Sequence, residues 1–291
     1  MSPASLAVLA YAWWGLVPIY WKQLSLFSSE ELILYRILIS AVSLLPVLVY
    51  RKELSKWLAI LRSPSQALGC LAASLLIGFN WYLYIWAVGH GRVVESSLGY
   101  FLNPLVNVAL GTLALGERMN GAQKTACALA ALGVSLLAFQ TGAFPWVSVL
   151  LALSFGFYGF VRKLLNLPTL AATFAETIVL TIPSILAIVW MSRQGLTHWA
   201  AAPASSLAWL SLSGIVTTVP LLAFTEAVKF LPLTFLAFLQ FLSPTLQFLL
   251  GVLVFHEPFG LARCLSFGLI WVGIVVFLWD LAAPNQNKTN H

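Results

Sequence analysis

The stretch SLGYFLNPLVNVALGTLALGE, from Ser97 to Glu117, is a long apolar run that carries an Asn-Pro pair and a second Asn one helical turn later. A second copy, AFLQFLSPTLQFLLGVLVFHE, runs from Ala237 to Glu257, displaced by 140 positions. The two copies share the residue types found at Phe101, Leu102, Pro104, Gly111 and Glu117. The displacement predicts duplication of a whole domain, because solenoid repeats have periods of about 20 to 50 residues.

The displacement also relates residues far outside these two copies. With shifts of 140 or 141 positions, matching pairs are Ala87 with Ala227, Val88 with Val228, Gly133 with Gly273, Gly15 with Gly156 and Lys22 with Lys163. Arg36 falls opposite Glu176. The sequence therefore predicts a first repeat over 1–142, a second repeat over 143–283, and a disordered cytoplasmic tail over 284–291.

The composition excludes a soluble protein. The chain is 60% hydrophobic and 8% charged, with a mean hydropathy of +0.93. A soluble domain of 291 residues could not bury so much apolar surface, so the chain is predicted to be an integral membrane protein in contact with the lipid bilayer. The net charge of +6 comes from Lys and Arg in short connections, where they act as topology signals. No nucleic-acid partner is expected.

The cysteines and histidines give no sign of a disulfide framework, a metal site or another cofactor. Cys70, Cys127 and Cys264 lie inside apolar runs without CxxC spacing, which is typical of small buried residues. His90, His198 and His256 lie in connections, and the sequence has no HExxH motif. The first apolar run lacks a basic n-region, so it is predicted to be a retained span rather than a cleaved signal peptide.

Ten apolar runs approach the ~20 residues that cross a bilayer. They lie at 4–22, 32–50, 67–88, 95–115, 121–140, 145–163, 170–191, 206–228, 233–255 and 260–281. The predicted fold is therefore an all-α polytopic membrane protein with five helices in each repeat. Because an odd number of spans makes the second copy enter from the opposite side, the two five-helix repeats are predicted to be inverted.

The basic residues predict the orientation. Ten lie in one set of alternate connections: Arg51, Lys52, Lys56, Arg62, Arg118, Lys124, Arg162, Lys163, Lys229 and Lys288. Four lie in the other set: Lys22, Arg92, Arg193 and Arg263. Cytoplasmic connections carry the excess of Lys and Arg, so both termini are predicted to be cytoplasmic.

Two ionisable residues, Arg36 in the second span and Glu176 in the seventh, lie inside spans at positions that the displacement of 140 residues relates. A charge at mid-membrane costs about 2.5 to 3.5 kcal/mol on insertion scales, so each needs an explanation. In one interpretation both face a central aqueous path, where Arg36 holds an anionic group or carbonyl and Glu176 a cation or proton. In the other interpretation, each side chain extends to the nearby membrane–water interface or forms a fixed structural ion pair.

Three glutamates lie near span ends. Glu226 and Lys229 have the i, i+3 spacing of an ion pair that closes the eighth span. Glu226 is nevertheless kept beside Arg36 and Glu176 as a candidate for coupling or gating. Glu117 and Glu257 follow the fourth and ninth spans, where a carboxylate can cap the N-terminus of the next helix.

Polar side chains form one stripe on each of the two copies. Positions i, i+3, i+4 and i+7 of a helix share a face. The stripe of the fourth span is Tyr100, Asn103 and Asn107, and that of the ninth is Gln240, Ser243 and Gln247. Amides facing lipid would be unsatisfied, so both stripes are expected to point inward, either at a solute cavity or at each other as interhelical hydrogen bonds.

A proline accompanies each stripe. Pro104 and Pro244 lack a backbone donor and free the carbonyls of Tyr100 and Gln240, so each helix is expected to kink there. Kinked helices paired across an inverted repeat point to a transport site near the bilayer midplane.

The third and eighth spans add further candidates for binding a solute. Asn80, Trp81 and Tyr84 lie on the third span and Thr217 on the eighth. Aromatic walls with a few polar groups suit an organic solute. Trp and Tyr also anchor spans at the interface, and this alternative stays open for Trp13, Trp14 and Trp21.

With these motifs, the chain closely resembles the RarD-type permeases of the EamA branch of the drug/metabolite transporter superfamily. The resemblance is carried by GFNWYLYIWAV at 78–88, SSLGYFLNPLVNVALGTLALGER at 96–118, FGFYGFVRK at 155–163 and GIVTTVPLLAFTEA at 214–227. It implies ten helices in two inverted repeats and export of small organic molecules across the inner membrane. The RarD type is associated by name with chloramphenicol sensitivity.

The resemblance also implies a central cavity lined mainly by spans 1, 3, 4, 6, 8 and 9. Carried onto this chain, it adds Tyr158 to the candidates and places Arg36 and Glu176 on flanking helices. It determines neither the solute nor the coupling ion, and both a monomer and a homodimer remain open.

Three functional classes compete. The leading prediction is a secondary transporter that moves small organic solutes by alternating access. A scaffold or partner subunit would use the polar stripes only for packing. An intramembrane enzyme ranks far behind, because Asp280 is the only Asp and neither a Ser-His pair nor a metal cluster is evident. The absence of a P-loop argues against direct use of ATP. If transport is active, protons are the simplest coupling ion, with Glu176 or Glu226 as carrier.

Overall fold

The structure is a computed structural model that describes residues 1–89, 93–139, 146–254 and 261–282. Each of the ten predicted segments is helical where it is described. The α-helices are α1 (Pro3–Trp21), α2 (Ser29–Tyr50), α3 (Leu54–Arg62), α4 (Pro64–Gly89), α5 (Val93–Ala109), α6 (Gly121–Phe139), α7 (Trp146–Leu165), α8 (Thr169–Arg193), α9 (Ala204–Ser211), α10 (Ser213–Phe230), α11 (Leu233–Gln240), α12 (Leu242–Leu253) and α13 (Leu261–Ala282). His90, His256, Glu257 and the tail over 284–291 lie outside the described residues.

Length and hydropathy identify membrane spans among these helices. Within the described ranges, six segments are long and apolar enough to cross a bilayer. These are Pro3–Leu24, Ser29–Tyr50, Pro64–Tyr84, Trp146–Leu165, Thr169–Arg193 and Ala204–Phe230. Shorter apolar helices occur at Leu98–Ala114, Leu233–Gln247 and Cys264–Asp280. The fold is that of a multi-pass membrane protein.

The outer surface agrees with this conclusion. Large apolar side chains such as Val42, Leu68, Leu186 and Val275 are more than half exposed. A soluble monomer rarely exposes contiguous apolar surface on this scale, whereas lipid tails cover it without cost. Cys70 is buried as predicted, but the prediction is wrong for Cys264, whose side chain is on the exposed surface of α13.

Local sequence explains where several helices begin and break. Ser28 caps α2 by accepting a hydrogen bond from the backbone N–H of Glu31, at 3.2 Å. The ninth predicted span is interrupted at Phe241, between α11 and α12. This break directly follows Gln240, whose carbonyl Pro244 was predicted to free. By contrast, α5 continues through Pro104.

One short helix was not predicted. The connection between α2 and α4 contains α3. The Trp57 ring of α3 lies 5.4 Å from the Phe174 ring of α8. Leu54, Trp57, Leu58 and Leu61 have the i, i+3, i+4, i+7 spacing of an amphipathic helix. The segment was not predicted because, at nine residues, it is too short to be recognised as a membrane span.

Glycines let helices from the two halves of the chain approach closely. A Cβ atom at Gly133 of α6 would lie 2.6 Å from the backbone oxygen of Ser266 on α13. A Cβ atom at Gly273 of α13 would lie 2.8 Å from the backbone oxygen of Ala126 on α6. These contacts are equivalent under the displacement of 140 positions. Small residues at such positions allow backbone-to-backbone packing of membrane helices.

A second pair of glycine contacts is also related by the displacement of 140 or 141 positions. A Cβ atom at Gly15 of α1 would lie 2.7 Å from the Leu246 side chain of α12. One at Gly156 of α7 would lie 2.5 Å from the Val106 side chain of α5. Helices α1 and α7 thus pack against equivalent faces of the two polar-striped segments.

Glu117 caps a helix, but not the one predicted. Its carboxylate accepts hydrogen bonds from the backbone N–H groups of Leu233 and Thr234, at 2.8 and 2.9 Å, and from the Thr234 hydroxyl at 2.9 Å. It therefore caps α11 in the other half of the chain rather than α6. The physical reason is a turn at Gly116, with φ of +67°, after a π-helical turn at Leu110–Ala114.

Candidate solute-binding cavity

A cavity of about 110 Å³ lies inside the helix bundle. Its lining comes from α1, α2, α4, α5, α7, α10, α11 and α12, and so from both halves of the chain. The lining residues are Tyr11, Trp14, Val17, Trp21, Arg36, Ile77, Asn80, Trp81, Tyr84, Gly99, Tyr100, Asn103, Leu151, Phe155, Val216, Thr217, Leu221, Gln240, Ser243, Pro244 and Gln247.

Nine of the eleven residues predicted to bind a solute lie in this lining. They are Asn80, Trp81, Tyr84, Tyr100, Asn103, Thr217, Gln240, Ser243 and Gln247. The other two, Asn107 and Tyr158, are buried but outside it. Asn107 Nδ2 donates to Oε1 of Gln240, a residue of the lining, at 2.8 Å. The Tyr158 hydroxyl instead donates to Glu176 at 3.2 Å.

Some of the polar side chains hold helices together. Asn80 Nδ2 donates to the Leu151 carbonyl and to the Ser154 hydroxyl, both at 2.9 Å, and so joins α4 to α7. Gln247 Nε2 donates to the Trp14 carbonyl at 3.0 Å and joins α12 to α1. The interhelical interpretation of the stripes is therefore correct for these amides, which at the same time form part of the cavity wall.

Other polar atoms in the lining are buried and have no hydrogen-bond partner within the structure described above. They are the Tyr11 hydroxyl, Nε and Nη2 of Arg36, Oδ1 of Asn103 and the Thr217 hydroxyl. A buried polar atom without a partner costs about 1 to 3 kcal/mol, so such groups ordinarily mark a place where water or a ligand binds. All four side chains line the same cavity.

Aromatic rings form much of the remaining wall. The rings of Tyr84 and Tyr100 lie 5.7 Å apart, and those of Trp14 and Phe155 lie 5.6 Å apart. Trp14 and Trp21, for which the sequence left an interfacial role open, lie in the lining. Phe155 and Tyr11 were missed, because an aromatic residue in an apolar run carries no signal of which face it occupies.

Arg36 reaches the cavity from α2. Its guanidinium carbon lies 4.3 Å from the centre of the Trp81 ring and 5.5 Å from that of Trp21. Such stacking stabilises a cation only partly. Arg36 is thus on a flanking helix, as the resemblance implied, but its side chain belongs to the site.

Glu176 does not face the cavity. Its carboxylate accepts a hydrogen bond from Nη1 of Arg162 at 2.8 Å, and both side chains are only 3% exposed. The interpretation that Glu176 faces an aqueous path is wrong in this conformation, and the fixed structural pair is present instead. Arg162, predicted to be a topology signal in a connection, is buried at the end of α7 because Glu176 neutralises it.

Glu226 also has fixed partners. It pairs with Lys229 at 2.6 Å, as the i, i+3 spacing predicted, and accepts a hydrogen bond from the Thr169 hydroxyl.

Glu31 was missed by sequence reasoning. It is fully buried and accepts hydrogen bonds from the backbone N–H groups of His198 and Trp199, at 2.8 and 3.3 Å.

Fold and site together define a multi-pass helical membrane protein with a partly polar internal cavity between its two halves. Residues 1–139 and 145–279 each match the model of the EamA-like transporter family. The chain therefore belongs to the EamA-like transporter family.

Individual relatives agree with this assignment. Protein RarD of Streptomyces exfoliatus is 42% identical over 93% of this chain and 86% of its own length. The uncharacterized transporter YojE of Bacillus subtilis is 39% identical over 97% of this chain and 95% of its own length. These similarities confirm the resemblance to RarD-type permeases. A solved crystal structure that is 18% identical superposes with a TM-score of 0.71 over 97% of this chain and 99% of its own.

Proposed function

We propose that this protein is a secondary transporter that moves small organic solutes, of drug or metabolite type, across the inner membrane by alternating access. The observation that carries the proposal is the internal cavity, built from both halves of the chain and containing buried polar groups without partners. Aromatic walls with a few polar groups are typical of sites for organic ligands. Membership of a transporter family supports the same conclusion.

The equivalent contacts support two inverted five-helix repeats. Gly15 against Leu246 and Gly156 against Val106 are related by the displacement that relates the sequences. Rocking of inverted repeats about a central site is a common way for transporters to alternate access. The break between α11 and α12 at Phe241, beside the cavity, is a place where such motion could bend the bundle.

Contacts between connections support their predicted division between two sides of the membrane. On one side, Glu117 contacts Leu233, and Asn120 donates to Asp280 at 2.8 Å. On the other side, Glu31 contacts His198. The first side carries the excess of Lys and Arg, so that side and both termini are proposed to be cytoplasmic.

If Glu176 or Glu226 carries a proton during transport, its carboxylate must first separate from the cation with which it is paired. Each carboxylate is paired with a cation in this conformation, Arg162 and Lys229 respectively. A carrier role would therefore involve exchange of these partners during the transport cycle. Transport rates that do not respond to an imposed pH gradient would support facilitated diffusion instead.

Loss of either of two stripe amides is expected to slow transport. Uptake would be measured in liposomes containing purified protein, with a panel of amphipathic drugs, including chloramphenicol, and small metabolites. Asn103→Ala removes a buried carbonyl oxygen without a partner, and Gln247→Ala removes the bond to Trp14. At least about tenfold slower uptake is expected in each, the equivalent of roughly 1.4 kcal/mol.

The matched control is Gln194→Ala, an exposed amide at the end of α8, which should transport like the wild type. If the wild-type protein moves none of the solutes, the transport proposal is contradicted and a scaffold is favoured. Equal flux in all three variants would remove the stripe from the mechanism.

Removal of the Glu117 carboxylate is expected to destabilise the start of α11. Glu117→Ala leaves the first N–H groups of α11 without their cap, a loss of about 0.5 to 2 kcal/mol of stability. Thr234→Val removes only the hydroxyl bond to the same carboxylate and should have a smaller effect. Thermal unfolding in one detergent would compare the two, and equal midpoints for Glu117→Ala and the wild type would refute the capping role.

A further inference from the structure

Among the described residues that line the cavity, the formal charge is unbalanced. Arg36 is the one charged side chain in this set, and none of its members is a carboxylate. Nε and Nη2 of its guanidinium are buried and have no hydrogen-bond partner among the residues that the structure describes. An isolated cation in such surroundings is costly, so it favours any ligand that brings a negative charge.

The second half of the chain shows how this fold balances a charge when no ligand is involved. Under displacements of 140 and 141 positions, Arg36 corresponds to Glu176 and Trp21 corresponds to Arg162. In the second half the two residues form a closed ion pair at 2.8 Å. In the first half the corresponding residues are Arg36 and Trp21, and the guanidinium carbon lies 5.5 Å from the centre of the Trp21 ring. Within the described part of the chain, Nε and Nη2 of Arg36 therefore have no counter-charge like the one that Glu176 provides for Arg162.

The rest of the cavity indicates the body of the ligand. Trp81 stacks on the guanidinium at 4.3 Å, and the rings of Tyr84 and Tyr100 continue the wall. These faces suit a flat apolar group. The volume of about 110 Å³ is below the ~300 to 1,000 Å³ of pockets for drug-sized ligands, which favours a small metabolite.

We propose that the transported solutes are small organic anions, in which a flat apolar body carries a carboxylate that binds the guanidinium of Arg36. Arginine presents paired N–H donors that match a carboxylate, so the two free donors of Arg36 would be satisfied together. The aromatic wall would hold the body of the solute. This inference rests on the proposed transport function and specifies the charge of its substrate.

The test uses three probes with one phenylpropyl body: 3-phenylpropionate, 3-phenylpropanamide and 3-phenylpropylamine. Binding to the purified full-length protein would be followed by quenching of tryptophan fluorescence, since Trp14, Trp21 and Trp81 line the cavity. The anion is expected to bind at least about tenfold more tightly than the neutral amide, because hydrogen bonds to charged groups are the stronger ones. The amine is expected to bind most weakly.

Variants separate the role of Arg36 from general effects of charge. Arg36→Gln should bring the anion to the affinity of the amide, and Arg36→Lys should retain part of the preference, because it keeps the charge but not the paired donors. Arg193→Gln, an exposed arginine at the end of α8, should bind all three probes like the wild type. Size-exclusion chromatography and thermal unfolding would establish that each variant is folded.

Several results would overturn the inference. These are the amide or amine binding as tightly as the anion, no saturable binding of the anion, or unchanged anion binding in folded Arg36→Gln. If Arg36→Gln does not fold, the order of the three probes on the wild type decides by itself. Uptake into liposomes distinguishes the two proposals: Arg36-dependent binding of the anion without flux would refute transport alone, whereas flux of the neutral probe without the anion would refute the anion preference alone.

Discussion

Replacing Arg162 with leucine is expected to lower the stability of the protein by about 3 to 5 kcal/mol. The substitution removes the hydrogen bond at 2.8 Å that neutralises Glu176 and leaves a carboxylate buried with only the Tyr158 hydroxyl as a side-chain partner. Unfolding in mixed micelles of detergent and SDS would measure the loss. The double variant Arg162→Leu with Glu176→Leu should recover most of it, because an apolar pair of similar volume replaces a buried ion pair at little cost.

The exposed pair of Lys56 and Glu53 provides the control. Its atoms are also close, at 2.9 Å, but the two side chains are 51% and 21% exposed. Lys56→Leu should therefore change the stability by less than about 1 kcal/mol. If Arg162→Leu and Lys56→Leu unfold at the same denaturant concentration, the buried pair does not stabilise the fold, and a dynamic role for Glu176 in proton transfer becomes the better explanation.

Adding a single methyl group at the contact between α6 and α13 is expected to destabilise the protein by about 1 to 3 kcal/mol. Gly133→Ala and Gly273→Ala each place a Cβ atom within 2.8 Å of a backbone oxygen of the partner helix. A backbone oxygen cannot rotate away, so the helices must separate. The loss of stability would be measured by the same unfolding assay for both variants.

Gly268→Ala distinguishes crowding from a general effect of replacing glycine. Gly268 also lies within α13, but a Cβ atom there would meet nothing within 4 Å. This variant should be as stable as the wild type or slightly more stable, since alanine favours helix. Equal destabilisation at Gly133 and Gly268 would show that the close approach of the two helices is not what makes Gly133 necessary.

Much of the fold was predictable from period and composition. The long apolar runs predicted helices, and the displacement of 140 positions paired Gly133 with Gly273, whose contacts in the structure are equivalent. The short helix α3 and the break between α9 and α10 were not predicted. The α3 segment carries the spacing of an amphipathic helix but is too short to be recognised as a membrane span. The break between α9 and α10 falls at Leu212, inside a single predicted span.

The candidate site was only partly predictable. A polar residue in an apolar helix must face the protein interior, so Asn103 and Ser243 could be assigned correctly to the cavity side. The same rule does not say whether the inward-facing polar group has a hydrogen-bond partner in the protein. It could not distinguish Asn103, which has an unpaired oxygen, from Asn107, which is bonded to Gln240.

By itself, the sequence determined the multi-pass membrane class, the all-helical character of the chain and the inward direction of most of the polar stripe residues. These follow from hydropathy, helical period and the cost of unsatisfied polar groups in lipid. The tertiary structure alone decided which charges are neutralised. Arg36 and Glu176 occupy equivalent places in the chain, yet Glu176 has Arg162 beside it and Arg36 has Trp21 and Trp81. Electrostatic balance depends on distances of a few ångströms between side chains far apart in sequence, which only the packed helices determine.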